Sequence, residues 1–220
     1  MVNLGVLVSG RGSNLQAIID HIEAGSLDAK IKIVISNVSG VFALERARKH
    51  GIPSRVISPR EYKKREDFDQ ELVEVLQGHE VELVILAGYM RILTSVFLKA
   101  FPRRVMNIHP ALLPSFPGTH VWQAEVDYGV KFAGCTVHFV EEGTDTGPII
   151  IQAVVPVYDE DTAETLNARI LKQEHKIFPQ AIQLYAEGRL EVQGRRVLAR
   201  GVPKAPDSFM INPPAKVFDL

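Results

Sequence analysis

Cysteine is almost missing from this chain: Cys135 stands alone among 220 residues. No internal disulfide can form, which fits a reducing compartment and leaves the fold to its apolar core. An excess of one charge sign is missing as well. Lys and Arg total 25 against 26 Asp and Glu, a formal net charge of −1, so no broad positive field points to a nucleic acid partner. No apolar run approaches the roughly 20 residues that cross a bilayer. The run from Val2 to Val8 carries no basic leader and stops at Gly10, so it is expected to be the first strand of a cytoplasmic protein with no membrane contact. The seven histidines show no metal-ligand spacing on a helix, and no metal is expected. Internal repeats and low-complexity tracts are absent. Cys135 lies within an apolar run and reads as inert core rather than a nucleophile.

Apolar residues make up 46% and charged residues 23% of the chain, ordinary values for a domain with a sizeable core. The first half alternates short, almost continuous apolar runs with amphipathic segments. Strands are expected at Gly5–Val8, Ile31–Ser36, Ser54–Ile57, Val81–Ala87 and Arg104–Ile108. Helices are expected from Ser13, over Val41–His50, over Arg60–Gly78 with Phe68, Leu72, Val75 and Leu76 on one face, and from a Thr94 cap to Ala100. The second half differs. A Pro- and Gly-rich loop is expected over His109–Val121, two neighbouring strands at Phe132–Val140 and Pro148–Pro156, and a helix over Asp161–Glu187 that Pro179 should kink or split. A hairpin around Gly194 should end the fold. The pattern predicts an α/β fold: a mostly parallel twisted sheet with helices on both faces and a mixed or antiparallel extension in the C-terminal half. One domain is expected over 1–200, divided near residue 100, with a Pro-rich surface tail over 201–220.

Open parallel sheets bind ligands beyond the C-terminal ends of their strands. Three segments follow apolar strands and should gather there: Gly10–Asn14, Ala87–Arg91 and Asn107–Pro110. The first, Gly-Arg-Gly-Ser-Asn, lets backbone N–H groups approach an anion at a helix start, with Ser13 and Asn14 adding side-chain donors. No Gly-Lys-Ser/Thr follows, a third glycine is missing, and Asn37 rather than an acid ends the second strand. A phosphate monoester therefore fits better than a nucleoside triphosphate or dinucleotide. A plain turn capped by Ser13 or Asn14 fits the same spacing, and the choice stays open. Asn107 and His109 share one face of an extended segment, an amide donor beside an imidazole. Asp145 sits between Gly143 and Gly147; paired with His109, it would stabilise the imidazolium and raise its pKa. Such a set can polarise a carbonyl and carry a proton away from an amine. Taken singly, each residue also has an ordinary structural reading. Among the other histidines, His120 is a candidate substrate contact, His138 is expected to be packed in a strand, and His21, His50 and His79 to be solvated. The run Lys63-Lys64-Arg65-Glu66-Asp67 reads as a solvated helix face.

The motifs Val8–Ile18, Leu86–Leu93, Asn107–Gly118, Gly134–Val140 and Gln173-Glu174-His175 resemble the glycinamide ribonucleotide formyltransferases, folate-dependent enzymes of purine synthesis. The resemblance runs from about Val2 to Leu190. It implies formyl transfer from 10-formyltetrahydrofolate, as co-substrate, to the amine of glycinamide ribonucleotide, by a monomer or homodimer. It implies catalytic roles for Asn107, His109 and Asp145, phosphate binding by Gly12, Ser13 and Asn14, and a glycinamide or ribose contact at Glu174. It also implies a folate pocket at Met90, Arg91, Ile92, Leu93, Asn107 and Val140, with the glutamate tail near Arg91, and a cis Leu113–Pro114 peptide. Arg11 departs from the asparagine of some relatives and could add a cation near the phosphate. The same core would serve a 10-formyltetrahydrofolate hydrolase, expected to be longer at its N-terminus. A methionyl-tRNA formyltransferase would need a basic C-terminal domain, for which this chain has neither room nor charge. A non-enzymatic sugar-phosphate module would keep only the glycine loop.

Overall fold

The first strand, β1 (Val2–Val8), is apolar at almost every position because both its sides are covered. Leu4, Val6 and Val8 pack into one helical layer and Leu7 into the other. The computed structural model, which describes residues 1–203 and residue 212, continues with α1 (Ser13–Glu23), β2 (Ala29–Ser36), α2 (Phe42–Lys49), β3 (Ser54–Val56), α3 (Arg65–Gly78), β4 (Leu83–Leu86), α4 (Ser95–Ala100) and β5 (Val105–His109). Then follow α5 (Val121–Tyr128), β6 (Phe132–Phe139), β7 (Ile149–Pro156), α6 (Ala163–Ala186), β8 (Leu190–Gln193) and β9 (Arg196–Ala199). Among the described residues the strands form one nine-stranded sheet in the order β3-β2-β1-β4-β5-β6-β7-β9-β8. The five strands β3 to β5 in that order are parallel; β6 runs antiparallel to both β5 and β7. This is the expected α/β architecture, extended by the hairpin β8–β9, which joins the sheet through β7.

Two cores sandwich the sheet. On one side Leu15, Ile18 and Ile19 of α1 and Leu166, Ile170, Phe178 and Ile182 of α6 cover Val6, Val34, Ile85, Met106 and Val137. On the other, Phe68, Leu72 and Leu76 of α3 and Phe97 of α4 cover Leu7, Ile35, Val84 and Leu86. Each fully buried side chain of this size contributes about 1.5–3 kcal/mol. No helix among the described residues is long and apolar enough to cross a membrane.

Several boundaries differ from expectation. The helix predicted over Arg60–Gly78 is a 3-10 turn at Pro59–Glu61, capped by Ser58, followed by α3 from Arg65, because Lys64 is extended (φ −119°, ψ 147°). Extended backbone there lets Tyr62 pack edge-on against Phe68 at 5.5 Å. Pro179 neither ends nor splits α6, which runs 24 residues through it. Proline removes one helical N–H, and here its ring is buried in the interface that holds the helix in place. The start of α6 is fixed by a Thr162–Thr165 capping box and by Asp161, which receives two hydrogen bonds from Arg169. Thr94 occupies the N-cap of α4, but its hydroxyl caps nothing; Asp69 Oδ2 accepts the Thr94 N–H at 2.6 Å. The tail expected over 201–220 lies outside the described residues beyond 203, apart from Asn212, whose amide donates to the Lys131 and Val157 carbonyls.

The helix α5 is not among those expected from the sequence. Its start has no side-chain cap, and His120 enters it in the left-handed region (φ 60°). Glu125 of this helix is 1% exposed, burial pushes its carboxyl up to about 7, and its Oε2 has no partner among the described residues. An acid whose folded pKa lies above its ordinary 4.5 destabilises the fold as pH rises from there through about 7. Glu125→Gln is therefore expected to raise Tm at pH 8, by about 2–4 °C per kcal/mol relieved, and to leave it nearly unchanged at pH 5. Melts of both proteins at the two pH values check this.

Candidate active site

Strand order reverses at β1, flanked by β2 and β4, and the crevice beyond these strand ends is where such sheets bind ligands. The two loops leaving β1 and β4 are tied together: Ser9 N–H donates to the Gly88 carbonyl at 3.1 Å, and Ser9 Oγ accepts from Met90 N–H at 2.8 Å. Ser9 Oγ in turn donates to Asn37 Oδ1 at the end of β2. The Gly10–Asn14 loop is braced from α2. Ala43 N–H donates to the Gly10 carbonyl, and Arg46 donates to the Arg11 carbonyl and to Gln16 Oε1. Gly12 is the N-cap of α1 at φ 70°, and no side chain caps the helix. The plain capped turn is thus not realised, and the first N–H groups of α1 have no intrahelical acceptor. Helix starts of this kind are the geometry in which anions are commonly held.

Asn14 behaves differently from expectation. Its Nδ2 is not a free donor beside that helix start; it donates to Glu174 Oε2 at 2.7 Å, in a buried pair that joins α1 to α6. Burial pushes the Glu174 carboxyl up, against the lowering effect of the Asn14 bond. Asn14 Oδ1 has no partner among the described residues. Gly12 cannot be replaced cheaply: a Cβ there would lie 2.7 Å from Ala43 Cβ, at a positive φ. Gly12→Ala is expected to cost about 1–3 kcal/mol and to raise KM for a phosphorylated substrate more than it lowers kcat. Melts and steady-state kinetics read both effects.

The second cluster lies at the end of β5. Asn107 and His109 project to one face, with His109 only 3% exposed. Asp145, in the left-handed region at φ 55°, brings Oδ2 to 3.4 Å from His109 Nδ1. The other ring nitrogen, Nε2, donates to the Phe116 carbonyl at 2.8 Å, and Gly118 N–H donates to Asp145 Oδ2 at 2.8 Å. The Pro-rich loop is therefore clipped to both side chains. Its Leu113–Pro114 peptide is cis, as the resemblance implied.

A cleft of about 450 Å³, part of it open to solvent, adjoins this cluster. It is lined by Arg91, Ile92, Leu93 and Val140 together with Glu141, Gly143, Thr144, Asp145 and Thr146. Arg91 stacks over Phe68 at 4.8 Å, and Arg65 holds the Ile92 carbonyl at 2.7 Å. Met90, expected in the folate pocket, does not line this cleft and is 67% exposed.

The formyl transferase family pattern matches residues 2–182. The chain belongs to the formyl transferase family. It is 38% identical to the phosphoribosylglycinamide formyltransferase of Escherichia coli K12, over 94% of this chain and 98% of that protein. It is 51% identical to the trifunctional purine biosynthetic protein adenosine-3 of Drosophila pseudoobscura, over 85% of this chain, which spans only 14% of that longer protein. The crystal structure of glycinamide ribonucleotide transformylase 1 from Symbiobacterium toebii superposes with a TM-score of 0.89 at 51% identity, covering 90% of this chain and 94% of that one.

The electrostatics of the His109–Asp145 pair set charge against burial. Burial lowers the pKa of His109, and that outweighs the Phe116 carbonyl and the Asp145 charge, which both raise it. Asp145 does favour the imidazolium, but desolvation wins. The Phe116 carbonyl only accepts, which puts a proton on Nε2 and leaves Nδ1 facing Asp145. Burial also pushes Asp145 up, yet the His138 ring, the Gly118 N–H and His109 together hold it below the usual range.

His138 was expected to be mere packing. It is buried at 2% exposure, but its Nε2 lies 3.2 Å from Asn107 Nδ2 and 3.7 Å from Asp145 Oδ1. The signal was available in the alternation of Thr136 and His138, but using it required the antiparallel register that sets His138 opposite Asn107. The Phe116 carbonyl and Gly118 N–H are backbone groups of an irregular loop and left no sequence signal. His120, at the start of α5, is exposed. His21, His50 and His79, expected to be solvated, are half-buried and partnered by Ser26, by Glu23 with Gln16, and by the Val75 carbonyl.

Proposed function

We propose that this chain transfers a formyl group from 10-formyltetrahydrofolate to the amine of glycinamide ribonucleotide, in the cytoplasm. The observation that carries the reading is the His109–Asp145 pair, its histidine buried, beside a cleft lined by Asp145, in a fold whose adjoining sheet edge presents an uncapped helix start. Ser13, Asn14 and the Gly12 turn would hold the ribonucleotide phosphate through backbone N–H groups. Glu174, fixed by Asn14, would stand at the glycinamide or ribose end. Arg91, Ile92, Leu93 and Val140 fit a flat heteroaromatic group with an anionic tail, which the Arg91 guanidinium would meet.

The folate supplies a formyl group on nitrogen, an acyl donor that needs its oxygen polarised. Asn107 would donate an N–H to that oxygen, where negative charge collects. His109 would take at Nδ1 the proton that the attacking amine releases. Asp145 would stabilise the resulting imidazolium until the proton reaches the departing folate nitrogen. Atoms balance: one C–N bond forms, one breaks, and one proton moves between the two nitrogens.

A formyl-transfer assay with and without the ribonucleotide tests this. Amine-dependent loss of formyl from the folate is the expected result. Equal loss without the amine would make the chain a hydrolase, and binding without turnover would make it a sugar-phosphate module.

A further inference from the structure

We propose that His138 is a positioning residue that fixes the amide of Asn107 with its nitrogen, rather than its oxygen, toward the reacting group. The proposal rests on the reading of Asn107 as the donor to the formyl oxygen. A carboxamide is almost isosteric end for end, so rotation by half a turn would place an acceptor where a donor is needed. Something must choose between the two orientations, and the surroundings of His138 make that choice.

The backbone sets the pair. In the antiparallel ladder of β5 and β6, Asn107 lies opposite His138 and His109 opposite Thr136, so all four side chains share one face. The register of β6 against β7 slips between Val137 and His138, an irregularity of the kind that re-aims a side chain. His138 Nδ1 lies 2.8 Å from the Phe139 carbonyl. A carbonyl only accepts, so Nδ1 carries the proton. In the neutral ring Nε2 is then a lone pair, and its neighbour at 3.2 Å is Asn107 Nδ2, whose N–H it accepts. The amide keeps its second N–H for the reacting oxygen.

The orientation is anchored one step further out. Phe139 N–H donates to the Pro148 carbonyl at 3.0 Å, and Gly147 packs so closely on the Phe139 carbonyl that a Cβ would lie 1.7 Å from it. That carbonyl cannot swing away from His138 without moving the Asp145 loop. Asp145 Oδ1, at 3.7 Å from His138 Nε2, is beyond hydrogen-bond reach, and the Asn107 amide nitrogen at 3.2 Å is the nearer neighbour.

The test uses His138→Leu, His138→Gln, Asn107→Ala and the Asn107→Ala/His138→Leu double variant, with ¹⁵N NMR of the unaltered protein. His138→Leu is expected to lower kcat by roughly 10- to 100-fold, the range of coupling between hydrogen-bonded neighbours, with KM for both substrates within about 3-fold. His138→Gln, whose Oε1 can accept the same N–H, should recover most of that loss. In the Asn107→Ala background, His138→Leu should add no further loss, and the ¹⁵N shifts should show Nδ1 protonated and Nε2 bare at neutral pH. Full kcat in His138→Leu beside a crippled Asn107→Ala overturns the positioning role alone. Additive losses, no rescue by Gln, or a proton on Nε2 do the same. A fully active Asn107→Ala overturns the functional reading and this proposal with it. Should His138→Leu fail to fold, the ¹⁵N spectrum of the unaltered protein still decides.

Discussion

Asp145→Asn is expected to lower kcat by about 10²- to 10⁴-fold, the usual worth of positioned acid–base catalysis, while KM for either substrate changes by no more than about 3-fold. The substitution keeps a side chain of the same shape, and its Oδ1 can still accept the Gly118 N–H that Asp145 Oδ2 accepts at 2.8 Å. What it removes is the negative charge 3.4 Å from His109 Nδ1, and with it the stabilisation of the imidazolium formed during transfer. The pH profile carries a second check. Burial already lowers the His109 pKa below 6.5, and the Asp145 charge partly offsets that. If neutral His109 is the base, kcat/KM falls as pH drops through its pKa. Removing Asp145 lowers that pKa further, so the acid limb should move to lower pH. A limb that stays in place, or an unchanged kcat in a folded protein, would separate Asp145 from the chemistry.

Gly147→Ala is expected to damage both stability and activity. The new Cβ would sit 1.7 Å from the Phe139 oxygen and 2.8 Å from its carbonyl carbon. These are backbone atoms of β6 that cannot step aside as a flexible side chain could. The segment carrying Asp145 must move instead. Forced overpacking of this kind costs roughly 1–3 kcal/mol or more, and a shift of about 1 Å in a catalytic group costs on the order of 10²-fold in rate. Melting should show a Tm lower by several degrees, and kcat/KM should fall by about 10²-fold or more even well below the new Tm. A variant with full activity at low temperature would mean that Asp145 does not depend on this close approach.

Acid should weaken the fold as well. His109 and His175 are both held below the ordinary histidine value of 6.5 by burial. Each therefore binds a proton more readily unfolded than folded, and stability falls as pH drops below about 6.5. Asp145, lowered by His138, Gly118 and His109 against its burial, adds to the loss at lower pH. Glu125 and Glu174, raised by burial, act in the opposite sense.

Much of this protein was legible in its residues, because the signals were local. The apolar strands Val6–Val8 and Leu83–Leu86 declare burial on both sides, and that implies a parallel sheet under two helical layers. The alternation in Asn107-Ile108-His109 puts amide and imidazole on one face whatever the rest of the chain does. Glycines at 12, 143 and 147 mark places where the backbone must turn or approach closely. These features follow from the periodicity of the backbone and from steric volume, which a sequence states outright.

Only the tertiary structure decided the rest, since those features depend on residues far apart in the chain. Whether Asp145 raises the pKa of His109 was a contest between charge and desolvation, and burial at 3% exposure settled it the other way. Asn14 looked like a free donor until Glu174, 160 residues on, took its amide nitrogen. Pro179 lies inside a continuous helix because that helix is packed along one face of the sheet. His138 became a neighbour of Asn107 through the register of two antiparallel strands. Local chemistry names the groups that could react; distances, burial and register determine which of them meet, and in which protonation state.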